Sequence, residues 1–171
     1  MQNIATVESG ARVSASGADL DPNLVLDDPY VWNLVTLETI PAWVEIVWPK
    51  EHRIDEIDIL PWAGRPTTEC VPLDYRLQYL KSGEWVDLIP PVTNAKRYAE
   101  FYGNTKAYLI QNEEFEYIHK FMPTSVKAIR MHITRSTDTG KRAGSSEDVV
   151  VPEDERQTVL RGIKVFKAKP R

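Results

Sequence analysis

Apolar and polar residues alternate along most of this chain, and helical periodicity is scarce. In "WVEIVWP", Val44, Ile46 and Trp48 share one face and Glu45 takes the other. In "LDYRLQYL", Tyr75, Leu77 and Tyr79 oppose Arg76 and Gln78. In "EFEYIHKF", Phe115, Tyr117, His119 and Phe121 alternate with Glu114, Glu116, Ile118 and Lys120. A period of two with one apolar face predicts half-buried antiparallel strands. "RIDEIDIL" and "SVKAIRMHITR" each slip phase once, at Ile54 to Ile57 and at Val126 to Ile129, which predicts a β-bulge in each. "TVLRGIKVFK" reads as the last strand, and "AKRYAEFYG", residues 95–103, as a helical turn.

The connections sharpen this picture. Lys50 to His52, "KSGE" at Lys81 to Glu84, and Met122 to Thr124 read as tight turns, with Gly83 placed for positive φ. Between them fall long connections, about Tyr30–Ala42, Pro61–Pro72, Ile89–Glu113 and Ser136–Gln157. Strict alternation of long and short connections between antiparallel strands sends every long loop to one end of a sandwich. Long loops gathered at one rim of a rigid β scaffold are a common way to build a binding domain.

Composition then narrows the class. The chain has 171 residues, 42% of them hydrophobic and 27% charged, which suits one globular domain over residues 1–171. Its net charge of −4 argues against nucleic acid or an anionic membrane as partner. Cys70 is the single cysteine, so no intrachain disulfide forms. The opening "MQNIATVESGARV" lacks the basic lead and apolar run of a signal peptide, and no stretch has the ~20 apolar residues of a membrane helix. The Met-Gln start fits a natural N-terminus or a domain excised from a larger multidomain protein.

Taken in order, "NIATVESGARVSAS", "NLVLDD", "AWVEIVWPKEHRIDEIDIL", "DYRLQYLKSGEWVDL", "FMPTSVKAIRMHIT" and "LRGIKVF" resemble the galactose-binding-like domains of the coagulation factor 5/8 type C, or discoidin, family, which includes many bacterial carbohydrate-binding modules. The resemblance implies an all-β, antiparallel jelly-roll β-sandwich with ligand-binding loops at one end. It implies a non-catalytic accessory domain of a secreted, periplasmic or cell-surface protein, working beside a catalytic domain of the same parent chain. It also raises a calcium ion, held in the family by an early aspartate, a threonine before a tryptophan, backbone carbonyls and a glutamate in the last strand. Here Asp27 matches the aspartate with Asp28 beside it, but Val31 and Gly162 stand at the threonine and glutamate positions. Calcium wants six to eight oxygens, so the expectation is no required cofactor and a degraded calcium site. The alternative is that Asp27, Asp28 and Pro29 form a turn whose carboxylates cap backbone N–H groups.

Several residues carry candidate binding chemistry. The Trp62 indole can stack on the apolar face of a sugar ring, or lid the end of the core. Arg65, between Gly64 and Pro66, can fork hydrogen bonds to hydroxyls or a carboxylate, or stay a solvated charge. Tyr98, Tyr102 and Asn104 supply the rings and amide of a sugar site, with Phe101 and Tyr108 nearby to pin the loop. Asp138 and Arg142, among small residues, close over a ligand or belong to a mobile loop. Trp32, Trp43, Trp48 and Trp85 fall in or beside strands and read as core. His52, His119 and His132 share no metal spacing, and no Gly-x-Ser-x-Gly nucleophile motif or phosphate-cradling glycine loop occurs. The carboxylate pairs Glu113–Glu114 and Asp154–Glu155 read as solvated charges, not as glycosidase acids across a cleft. The expected function is a carbohydrate-binding module. The alternatives are a ligand-free interaction or spacer domain packed on a catalytic neighbour, and an enzyme.

Overall fold

The computed structural model describes residues 1–26, 34–61, 70–95, 116–142, 147 and 149–170, with Arg142 described in its backbone alone. Among the described residues nine strands follow in chain order: β1 (Arg12–Ala15), β2 (Val35–Leu37), β3 (Ala42–Pro61), β4 (Pro72–Lys81), β5 (Glu84–Asp87), β6 (Tyr117–Ser136), β7 (Lys141–Arg142), β8 (Val149–Val150) and β9 (Thr158–Lys167). Two short 3-10 turns, Pro22–Leu26 and Glu153–Glu155, lie between them. Every strand pairing is antiparallel, in the order β2-β9-β3-β6-β4-β5, with β1 on the other side of β3. β7 and β8 form a separate small ladder.

One continuous ladder makes a two-layer core because β3 and β6 fold back on themselves. Tyr75 on β4 lies opposite Ile133 in the ladder, yet its ring stacks on Tyr117 at 6.2 Å between centroids. Tyr117 and Ile133 both belong to β6 and would stand ~50 Å apart on a straight strand. The front layer is therefore β1, the first half of β3, the second half of β6, β4 and β5. The back layer is β2, β9, the second half of β3 and the first half of β6. The alternation predicted from sequence points into the space between them, where Val44, Ile46, Trp48, Ile57, Ile59, Leu77, Met131, Ile133 and Val165 are buried.

The bends correct two expectations. Lys50–His52 and Met122–Thr124 are not turns between separate strands. The ladder with β6 runs Val47↔Ala128 and then His52↔Val126, so four residues of β3 bow out opposite one. The next step, Ile54↔Thr124 to Glu56↔Lys120, leaves Phe121, Met122 and Pro123 as a bow on β6. Long and short connections consequently do not alternate strictly. The phase slips do mark real irregularities: Asp55 is an extra residue against β9, where Ile54↔Lys167 is followed by Glu56↔Phe166. A bent strand and a pair of strands with a turn deliver the chain to the same place, so the ends still segregate. The bends and the β4–β5 hairpin occupy one end. In that hairpin Ser82 and Gly83 both have positive φ, 51° and 82°, as a two-residue turn with right-handed strand twist requires.

Trp43 and Trp85 also depart from expectation. Trp48 is core, 1% exposed, and its indole Nε1–H donates to the Ile4 carbonyl at 2.7 Å. Trp43 and Trp85 are half-buried and lie on the outer side of the front layer.

Candidate functional site

At the end opposite the bends, register brings together the stems of the long loops. Ala42↔Ile133 and Ile59↔Tyr117 put both ends of β3 and both ends of β6 there. β4 enters at Pro72↔Ser136, β9 at Pro61↔Leu160, and β2 leaves at Leu37↔Thr158. The residues that flank 62–69 (Pro61, Cys70), 96–115 (Ala95, Glu116) and the 137–157 connection thus share one rim.

Side chains and backbone lock these stems to each other. The Cys70 carbonyl accepts from the Val159 N–H at 2.8 Å and from the Thr158 hydroxyl at 3.2 Å. The Val71 N–H donates to Thr137 Oγ1 at 2.8 Å while the Thr137 N–H donates to the Val71 carbonyl at 2.9 Å. Ser136 Oγ donates to the Gln157 carbonyl at 2.5 Å. On the far stem, the Asn94 N–H donates to Asp74 Oδ1 at 2.9 Å, and Arg135 Nε meets Asp74 Oδ2 at 2.7 Å. That pairing holds the Asp74 carboxyl below its ordinary range, the Arg135 hydrogen bond being the main cause.

Asp138 is buried at the base of the 137–157 connection. Its Oδ1 accepts from the Gly140 N–H at 2.8 Å and its Oδ2 from the Gln157 N–H at 2.7 Å. A carboxylate that accepts backbone N–H groups from both stems of a loop sets that loop's shape. Gly140, at φ 79°, turns the chain into β7, and an added Cβ would stand 2.6 Å from the Val151 carbonyl. Arg142 lies in β7 opposite Val149. Trp62, Arg65, Tyr98, Tyr102 and Asn104 lie outside the described residues, as does the helical turn expected at 95–103 beyond its first residue, Ala95. Asp27 and Asp28 lie outside them too. Gly162, at the position of the family glutamate, sits in β9 opposite Leu60 and brings no side chain. Among the described residues no group of three or more His, Cys, Asp or Glu side chains could hold a metal ion.

Beside the rim a cavity of about 420 Å³ opens between the segment after β5 and the start of β6. Ile89, Pro91 and Val92 form one wall; Tyr117, His119 and Lys120 form the other. Its floor is fixed chemistry. His119 Nδ1–H donates to the Ile57 carbonyl at 2.9 Å, and the Tyr75 hydroxyl donates to His119 Nε2 at 2.7 Å. Burial pushes the His119 imidazole down to about 4 and drives Tyr75 well above its ordinary value. Both stay neutral through the physiological range, so the pair acts as a structural hydrogen-bond relay and not as an acid–base couple. The alternation of "EFEYIHKF" placed His119 on the apolar face; its Tyr75 partner, 44 residues away, had no signal in sequence.

No family model matches the sequence, and no curated protein matches it at a significant level. Solved structures do. SpGH29 superposes with a TM-score of 0.63 at 14% identity over 99% of this chain, which spans 28% of that one. Chitosan-binding module 1 of a Paenibacillus sp. IK-5 chitosanase/glucanase gives 0.63 at 12% identity, covering 97% of this chain and 99% of the module. The family 32 carbohydrate-binding module of Clostridium perfringens NanJ, solved with galactose, gives 0.61 at 11% identity, covering 95% and 96%. These likenesses, with the bent antiparallel ladder and the loop stems that share one rim, identify the fold as an antiparallel β-sandwich of the kind those modules have.

Proposed function

We propose that this chain is a non-catalytic carbohydrate-binding module whose ligand meets the rim. The observation that carries the reading is the convergence of the stems of 62–69, 96–115 and 137–157 at one end of the sandwich. Those segments hold Trp62, Arg65, Tyr98, Tyr102, Asn104, Asp138 and Arg142. Aromatic rings stack on the apolar faces of sugars, while arginine and amide groups take their hydroxyls. Asp138 serves this site by shaping the loop that carries Arg142. The module works beside a catalytic domain of one parent chain, in a secreted, periplasmic or cell-surface protein. The match to about a quarter of SpGH29 supports that reading. No helix among the described residues is long and apolar enough to cross a membrane.

A shallow site with one stacking ring and a few hydrogen bonds gives a Kd on the order of 0.1–1 mM, or about 4–5.5 kcal/mol. A glycan array followed by NMR titration with neutral, acidic and amino sugars tests this. Shifts at rim residues, weakened by Tyr102→Ala or Arg65→Ala, are the expected result. If no rim residue responds to any glycan, the chain is instead a spacer domain.

A further inference from the structure

The outer side of the front layer is laid out as three cross-strand rows. Trp43, His132 and Arg76 lie opposite one another on β3, β6 and β4. Ser14, Glu45, Arg130, Gln78 and Asp87 form the next row, and Arg12 and Val47, with Leu80 and Trp85, belong to the third. Strands ~4.8 Å apart rising ~3.3 Å per residue set Trp43 and Trp85 about 19 Å apart on this face.

The middle row is a built network. Gln78 is 7% exposed although it sits on the solvent side of the sheet. Its Oε1 accepts from Arg130 Nε at 3.2 Å and from Arg130 Nη2 at 2.8 Å, and its Nε2 donates to Asp87 Oδ1 at 2.9 Å. Arg76 Nη1 meets Asp87 Oδ2 at 2.9 Å. The Arg130 guanidinium lies 4.5 Å from the centre of the Trp85 ring. Arg130 thus has an amide and a ring as partners and no carboxylate among the described residues. In these rows three arginines (Arg12, Arg76, Arg130) face two carboxylates (Glu45, Asp87), a local excess of positive charge in a chain of net charge −4.

We propose that this face is a second glycan site, distinct from the rim, that takes an extended oligosaccharide carrying carboxylate groups. The half-buried Trp43 indole is a stacking platform at one end, and Trp85 at the other end carries the Arg130 guanidinium on its ring and holds it for the ligand. The Arg130 and Arg76 guanidinia between them are held in place before any ligand arrives. A planar guanidinium matches a carboxylate through two parallel hydrogen bonds, which selects hexuronate units over neutral sugars. Preorganisation by Gln78 and Trp85 removes much of the entropy cost of ordering an arginine on binding.

The test is an NMR titration with oligogalacturonate against a neutral oligosaccharide of equal length, following the indole N–H signals of Trp43 and Trp85 and the ring signals of His132. Oligogalacturonate should shift all three, and the neutral chain should bind at least tenfold more weakly. Arg130→Gln and, separately, Trp43→Ala should each weaken acidic-chain binding at least fivefold with little change in Tm. Tyr102→Ala, in the 96–115 segment assigned to the first site, should leave it unaltered. Unmoved signals at this face, equal affinity for the neutral chain, a preference for a sulfated chain, or full binding by both variants would overturn the proposal. Loss of binding in Tyr102→Ala alone would assign the acidic chain to the rim and overturn it as well, while leaving the rim reading intact.

Discussion

Asp58 offers the sharpest energetic test of this structure. It lies on the outer side of the back layer, in the middle strand, opposite Ile118 on β6 and Lys164 on β9. Lys164 reaches across to Glu116 at 3.0 Å, and Lys120 approaches Glu56 at 3.5 Å, so both neighbouring cations already have carboxylate partners. Asp58 itself is 5% exposed, and its Oδ1 has no hydrogen-bond partner. Burial, then the charges of Glu56 and Glu116, push its carboxyl up from 3.8 to about 7, against the opposing pull of Lys164 and Lys120. The folded protein therefore holds a proton that the unfolded chain releases near pH 4. The Asp58 contribution to stability should be full below pH 4, fall as pH rises from about 4 to 7, and level off above 7, while His119, held neutral by burial, contributes in the opposite sense between about 4 and 6.5. A rise of about three pH units at ~1.4 kcal/mol each caps the Asp58 share of the loss at about 4 kcal/mol, less where structure relaxes around the charge. Asp58→Asn keeps the shape and removes the ionisation. Urea unfolding at pH 5 and pH 8 should show the variant more stable than the parent by about 2 kcal/mol or more at pH 8, with a smaller difference at pH 5. A parent–variant difference that does not grow from pH 5 to pH 8, or a variant less stable at pH 8, would refute the argument that Asp58 is an uncompensated buried carboxylate.

Other outcomes follow from single residues. Gly83→Val should cost more than ~1 kcal/mol by thermal unfolding although nothing lies within 4 Å of its added Cβ, because a β-branched residue is strained at φ 82°. Asp138→Ala strands the Gly140 and Gln157 N–H groups and should destabilise by roughly 2 kcal/mol or more, with rim affinity falling alongside. Trp48→Ala should cost about 3–5 kcal/mol in urea unfolding, since it removes a fully buried indole and its hydrogen bond to Ile4. EDTA should leave Tm unchanged; a drop of several degrees restored by calcium would mean that Asp27, Asp28 and backbone oxygens suffice as ligands.

The rim shows how a wrong local reading can survive as a right global one. Lys50–His52 and Met122–Thr124 were expected as turns and are bows in two 20-residue strands. Sequence registers only that the apolar phase slips near these points, and a turn and a sharp bend both produce that slip. Either device reverses the chain at the same end of the sandwich, so the stems of the long loops still meet opposite.

The sequence by itself determined the class of fold, the apolar face of each long strand and the hairpin at Gly83. Those properties are carried by period-two burial and by the backbone demands of one glycine, both of which are local. Tertiary structure decided the rest. Trp43, Trp48 and Trp85 look alike in sequence, because a strand has two faces and a large apolar ring is welcome on either. Only the packing of the second layer assigned Trp48 to the core and left the other two outside. Asp138 looked like a loop charge until both stems of its loop closed on it. Asp58 alternates with isoleucines like any solvent-facing aspartate. Its burial depends on Lys164 and Glu116, residues 48 apart in the chain, meeting across the strand that carries it.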